Sequence, residues 1–188
     1  MTSSPPPFPA IVPVPWWDAE PQRLRRDQEE ITGQFPELDW NPEGAGAWEG
    51  ILPRWPFTRP EPPALQAWFP EGLRVRLSYF QAHPMVAPLI YPLDPEPLAV
   101  EWTQEKWHVN GDGSLCLLRE DSAWTGRESV TDLLLKAAAW RVEYALVKLG
   151  GIEQMTLHGI VDDAQHDHLL AQPPAPVEVP DAEEHEQS

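Results

Sequence analysis

The sequence predicts an α+β protein of one domain: an antiparallel meander of about four strands, flanked by an N-terminal helix and backed by a central crossover helix. Three observations carry that prediction. From Leu73 to Phe80, the residues Leu73, Val75, Leu77 and Tyr79 alternate with Arg74, Arg76, Ser78 and Phe80, the period-two signature of a half-buried strand. From Val130 to Leu149, the residues Val130, Leu133, Ala137, Trp140, Tyr144 and Val147 recur at three- and four-residue steps, which places one apolar face on a helix. The 24 prolines, dense from Pro53 to Pro97 and again at the C-terminal end, exclude a long helical bundle, because proline removes a backbone donor and fixes φ.

Taken in order, residues 1–17 are too proline-rich for helix or inner strand and read as an extended arm pinned by Trp16 and Trp17. Asp18 is positioned as an N-cap, with Pro21 tolerated in the first turn, for a helix running to about Ile31. Leu24 and Ile31 face inward on that helix, and Arg23, Arg25 and Arg26 lie on its surface. Phe35 to Leu52 is irregular or strand-like, interrupted by Gly44 and Gly46. After the strand at Leu73 to Phe80, the stretch Tyr91-Pro92-Leu93-Asp94-Pro95-Glu96-Pro97 is too rich in proline for regular structure. Leu98, Val100 and Trp102 then alternate as one face of another strand. Ser129 followed by Asp132 is a variant capping box for the long helix. Asp132 and Lys136 are spaced for an i,i+4 pair, and Gly150-Gly151 ends the helix. Ile152 to Ile160 returns as strand or turn. The domain is thus expected over 18–170, with an acidic disordered tail over 171–188.

Composition narrows the function. The formal net charge is −17, which disfavours nucleic acid as a partner, since phosphate binding needs a basic face. From Val161 onward there are eight acids and no Lys or Arg, a solvating tail or a docking segment for a basic partner. No apolar run reaches the roughly 20 residues of a membrane span, and the N-terminus lacks the charged start and apolar centre of a signal peptide. The single cysteine forbids an internal disulfide. A cytoplasmic protein in a reducing compartment is expected. His158, His166 and His168 with Asp162, Asp163 and Asp167 form a metal-like cluster without ligand spacing on one helical face, so no metal and no cofactor is expected.

The chemistry concentrates in Trp107-His108-Val109-Asn110-Gly111-Asp112-Gly113-Ser114-Leu115-Cys116-Leu117-Leu118. Asn-Gly and Asp-Gly supply positive φ in tight turns. A sharp turn there delivers Ser114, Leu115 and Cys116 in extended form beside His108 and Asn110. A thiolate is both a good nucleophile and a good leaving group, and a nearby amide or imidazole can stabilise an oxyanion. A lone cysteine among leucines is most often a small core residue, with His108 and Asn110 then as ordinary turn residues. The residues alone leave both readings standing. A hydrolase pairing Cys116 with His108 is disfavoured, because no helix N-terminus begins at Cys116 to lower its pKa.

These residues resemble the active-site region of ubiquitin-conjugating enzymes. That family carries a His-Pro-Asn motif, a short connection, a Gly-x-Ile/Leu-Cys-Leu segment and a Trp at a fixed distance beyond the cysteine. Here His108-Val109-Asn110 is followed by Gly113-Ser114-Leu115-Cys116-Leu117 and by Trp124, eight residues past Cys116. Tyr91-Pro92 with Pro95 and Pro97 is similar to the family's proline flap, and Trp124-Thr125-Gly126 to the turn before its second helix. The resemblance covers about Asp18 to Leu149. It implies that Cys116 carries a ubiquitin-like protein as a thioester and passes it to an amine. Asn110 would stabilise the oxyanion or hold the cysteine loop, and His108 would brace that loop. Trp124 would sit beside the cysteine segment, and the helix bearing Arg23, Arg25 and Arg26 would dock an activating enzyme. The alternative is an inactive binding module of the same fold that positions a ubiquitin-like partner. Val109 departs from the family's central proline, and the Asn110–Cys116 connection is two residues shorter than in most eukaryotic members. The pair of C-terminal helices is missing. Asp121, Asp162 and Asp163 are candidates for deprotonating the acceptor. Short divergent members of this kind resemble the bacterial branch found in ubiquitination-like and antiviral-defence gene clusters.

Overall fold

The computed structural model describes residues 14–118, 124–156 and 164–175. Helix α1 (Trp16–Ala19) and helix α2 (Pro21–Gln34) precede strands β1 (Leu38–Asn41) and β2 (Ala47–Ile51). A long connection carrying helix α3 (Leu65–Trp68) leads to β3 (Arg74–Ser78) and β4 (Leu89–Asp94). A 3₁₀ turn (Ala99–Glu101), helix α4 (Gln104–Trp107), the long helix α5 (Val130–Lys148) and helix α6 (Asp167–Leu170) follow. The four strands form one antiparallel sheet in the order β1-β2-β3-β4, so the α+β class and the four-stranded meander expected from sequence are present.

Several boundaries differ from expectation. The first helix is two helices, broken at Glu20 (φ −124°, ψ 59°), so Asp18 lies inside α1 and caps nothing. The residue before a proline is pushed out of the helical region, and Pro21 then starts α2 cleanly. The stretch from Phe35 to Leu52 is a hairpin, β1 and β2, whose turn uses Gly44 at φ 65° and Gly46 at φ 84°.

The fourth strand is also displaced. Tyr91 to Asp94, expected to be irregular, belongs to β4, while Leu98 to Trp102, expected as a strand, forms the 3₁₀ turn. Pro92 is tolerated because β4 stands at the end of the strand order, where a missing N–H breaks no inner ladder. In the 3₁₀ turn the alternation is inverted: Leu98, Val100 and Trp102 are exposed and Glu101 is buried. The Glu101 carboxylate accepts bonds from the Leu98 amide (2.8 Å), Tyr144 Oη (2.8 Å) and Lys148 Nζ (2.6 Å). A buried carboxylate with three donors outweighs the gain from burying Val100.

Two apolar clusters meet on α5. Leu73, Val75, Leu77, Tyr79 and Ile90 from the sheet join Ile31 of α2 and Val130, Leu134, Ala138 and Trp140 of α5. On the other side of α5, Ala139, Val142, Ala145 and Leu146 pack with Leu65, Trp68 and Phe69 of the β2–β3 connection and with Leu170 of α6. Fourteen of the nineteen α5 residues are therefore buried, and the helix is enclosed on two sides where one apolar face was expected. Ser129 caps it by accepting from the Thr131 amide at 3.2 Å, and Gly150 at φ 74° ends it. Lys136 donates to the Leu117 carbonyl (3.3 Å).

The chain ends also differ. Trp16 is buried in the core and belongs to α1, so the helical body begins before residue 18. At the other end Trp68 Nε1 donates to Gln172 O (2.7 Å) and Arg59 clasps Asp167 through two bonds (2.7 and 3.1 Å). Docked chain thus reaches beyond residue 170. The rest of the expected arm and tail, 1–13 and 176–188, lies outside the described residues.

Candidate functional site around Cys116

Residues His108 to Cys116 form a short hairpin. Val109 and Leu115 pair as an antiparallel bridge, Asn110 N donates to Ser114 O (2.7 Å), and Cys116 N donates to His108 O (2.7 Å). Gly113 takes φ 83° at the turn, as the Asp-Gly signal predicts. Asp112 Oδ1 accepts from the Ser114 amide (3.0 Å) and hydroxyl (2.6 Å), closing the turn from within. These two bonds hold the Asp112 carboxyl below its usual pKa. Leu115 N then donates to Ile90 O (2.8 Å), which fastens the hairpin to β4. Buried Val109 and Leu115 anchor it in the core, and Cys116 is left partly exposed.

Each expected site residue has a defined place. His108 is the C-cap of α4 in the left-handed region (φ 49°, ψ 41°), and its Nε2 lies 3.1 Å from Thr156 O. A carbonyl can only accept, so Nε2 carries the proton. Thr156 is itself fixed to α5, because its amide (3.1 Å) and hydroxyl (2.5 Å) donate to Glu143. The chain Glu143–Thr156–His108–Cys116 links the long helix to the cysteine backbone. Asn110 Nδ2 donates to Ser114 Oγ (3.0 Å) and Leu115 O (3.3 Å), while its Oδ1 accepts from Gln104 Nε2 (2.7 Å). Both amide protons are spent inside the hairpin. Burial pushes the Cys116 thiol up in pKa, so the resting group is the protonated thiol.

Trp124 sits in the loop before α5, where Nε1 donates to Pro84 O (2.6 Å) and the ring lies under the Arg23 guanidinium (5.6 Å). Arg23 itself is buried, although the sequence placed it on the surface of its helix. Its Nε pairs with the fully buried Asp27 (2.7 Å), and its two terminal nitrogens donate to the carbonyls of Gly126 (2.7 Å) and Glu128 (2.9 Å). Arg26 pairs with Glu30 (2.8 Å) and donates to Arg127 O (2.8 Å). Three consecutive carbonyls before α5 are therefore held by two arginines of α2, and Arg25 is the exposed one. Asp27 also accepts from Tyr79 Oη (3.1 Å) and contacts His83 Nε2 (3.2 Å).

Thr156, Glu143 and Gln104 escaped the sequence reading, and Ser114 was read only as part of the extended segment leading to Cys116. The Asp112-x-Ser114 spacing was a local signal for the turn, whereas Thr156 and Glu143 meet His108 only through the tertiary fold. Asp121, Asp162, Asp163 and His158 lie outside the described residues. Among the described residues no group of three or more His, Cys, Asp or Glu is placed to hold a metal ion, and no helix is long and apolar enough to cross a membrane. Comparison with protein-family models, curated proteins and solved structures gives no match for this chain.

Proposed function

We propose that the protein is a ubiquitin-conjugating-type carrier that holds a ubiquitin-like protein as a thioester on Cys116. The observation that carries the reading is the partly exposed single thiol at the end of the His108–Cys116 hairpin, with its backbone fixed on both sides. In the first step Cys116 Sγ attacks the thioester carbonyl of a carrier held by an activating enzyme. The new C–S bond forms, the enzyme's C–S bond breaks, and its thiol takes up the proton that Cys116 gives up. In the second step an acceptor amine attacks the Cys116 thioester, giving an amide and the regenerated thiol. His108 and Asn110 act as positioning residues in this reading, since their side-chain bonds brace the hairpin. An activating enzyme docking on α2 would meet Arg25, because Arg23 and Arg26 are bonded to carbonyls of the loop before α5. The protein would work in the cytoplasm, in a bacterial ubiquitination-like or antiviral-defence pathway.

A second reading rests on two observations. Asn110 has no amide proton left for an oxyanion, and the thiol's pKa is raised. Both suit a binding module that positions a ubiquitin-like partner and forms no thioester. A charging assay separates the two. The protein is mixed with a ubiquitin-like protein and an activating enzyme that charges itself with it, with ATP, and resolved with and without thiol. A thiol-sensitive adduct that Cys116→Ser turns into a thiol-resistant ester supports the carrier. An activating enzyme that charges itself but never Cys116 favours the binding module.

A further inference from the structure

A cleft of about 390 Å³ opens over Arg76, Ser78 and Tyr91. These three residues alternate along β3 and β4 with the buried Val75, Leu77 and Ile90, so the cleft lies on the outer face of the sheet. Its floor offers three hydrogen-bond donors: a guanidinium, a hydroxyl and a phenol. Among the described residues none of these three side chains has a hydrogen-bond partner. Burial, and then the charge of Asp112, raise the pKa of Tyr91, which keeps its hydroxyl protonated and able to donate. Trp102 forms an aromatic wall. Its Nε1 is spent on Pro97 O (3.2 Å), and its ring lies against Gly113, where an added Cβ would come within 3.3 Å. The carboxylates of Glu96 and Asp112 line it too, with the apolar Pro92, Leu93 and Pro97.

Such a cleft is complementary to a segment rich in carbonyl acceptors and apolar rings and free of acids. Proline in the polyproline II conformation has these properties, since its carbonyls have no internal partners and aromatic grooves accept its rings. In a chain of net charge −17, residues 1–15 contain five prolines from Pro5 to Pro13, a sixth at Pro15, and no Asp or Glu. The opposite end, 176–188, carries Glu178, Asp181, Glu183, Glu184 and Glu186, which Glu96 and Asp112 would repel.

The tether is also favourable. Trp16 is fixed to Ala45 O (2.7 Å) and its ring lies 5.0 Å from Tyr79, the neighbour of Ser78 in the cleft floor. Residues 1–13 in polyproline II conformation, at about 3.1 Å per residue, span about 40 Å.

We propose that this cleft is a binding site for an extended proline-rich segment, and that its occupant is the stretch Pro5 to Pro13 of the same chain. The inference does not depend on the chemistry of Cys116. It is tested on the full chain, isotopically labelled, with Ser4→Cys carrying a nitroxide in a Cys116→Ser background. The expected result is strong paramagnetic broadening of the Ser78, Tyr91 and Gly113 amides. Trp102→Ala, at a side chain 37 % exposed and so tolerated by the fold, should abolish it. Sharp resonances at those three amides would overturn the proposal, as would broadening that survives Trp102→Ala. Broadening that arises only when spin-labelled chains are mixed with isotopically labelled, spin-free chains would assign the cleft to a second copy and overturn the intramolecular occupant.

Discussion

Cys116 shows how a residue's surroundings set its reactivity. Its thiol is partly buried, no cation is among the causes of its shift, and the pKa moves up. Alkylation of native Cys116 should therefore need a more alkaline pH than alkylation of a free cysteine, with a profile displaced to higher pH; a profile coinciding with the free thiol would contradict the burial effect. Glu101 moves the other way. Burial disfavours its charge, but Lys148, the Leu98 amide and Tyr144 together outweigh burial and hold its pKa below 4.5. A carboxyl depressed on folding stabilises the protein above its unfolded pKa, and that contribution is lost as pH falls through the folded value. Glu101→Gln should then cost about 1–2 kcal/mol at neutral pH, and the difference from wild type should shrink in urea titrations carried well below pH 4.5.

At the scale of elements, α2 works as a clamp on the loop before α5. Arg23 and Arg26 take the carbonyls of Gly126, Arg127 and Glu128, and Glu30 accepts from Ser129 Oγ (2.5 Å). Arg23→Met leaves the buried Asp27 without its cation and two carbonyls without donors, a loss of about 3 kcal/mol by the usual cost of breaking a buried pair. Arg25→Met, at an exposed position of the same helix, should change stability by less than about 0.5 kcal/mol. Equal urea midpoints for the two variants would show that the clamp contributes nothing. Nothing in the sequence tells these arginines apart, because all three sit on a polar helix and only the partner loop distinguishes them. Strand β3 was legible because its alternation is strict and one face is fully buried. The segment at Leu98 to Trp102 alternates as well, yet it is a 3₁₀ turn, since period-two apolarity over five residues does not reveal what lies opposite.

At the scale of the molecule, α5 is covered on one side by the sheet and α2, and on the other by the β2–β3 connection and α6. The second cover lacks long helices of its own; Leu65, Trp68, Phe69 and Leu170 supply it from short ones. Leu170→Ala, at a fully buried position, should cost about 2–4 kcal/mol and lower the midpoint of thermal unfolding; an unchanged midpoint would mean that α6 does not belong to the cooperative core.

By itself the sequence determined the elements whose signals are local: the strand at Leu73 to Phe80, the capped helix ended by Gly150, and the turn through Asp112-Gly113 that brings Cys116 opposite His108. Periodicity, capping and positive φ act within a few residues, so neighbours in the chain suffice to reveal them. Only the tertiary structure decided that Arg23 is buried, that Asn110 spends its amide inside the hairpin, that Thr156 and Glu143 stand behind His108, and that Tyr91 rather than Val100 lies in the fourth strand. Those outcomes depend on which groups, distant in sequence, arrive to satisfy a buried charge or an open backbone carbonyl, and the balance of desolvation against hydrogen bonding is fixed only once they meet.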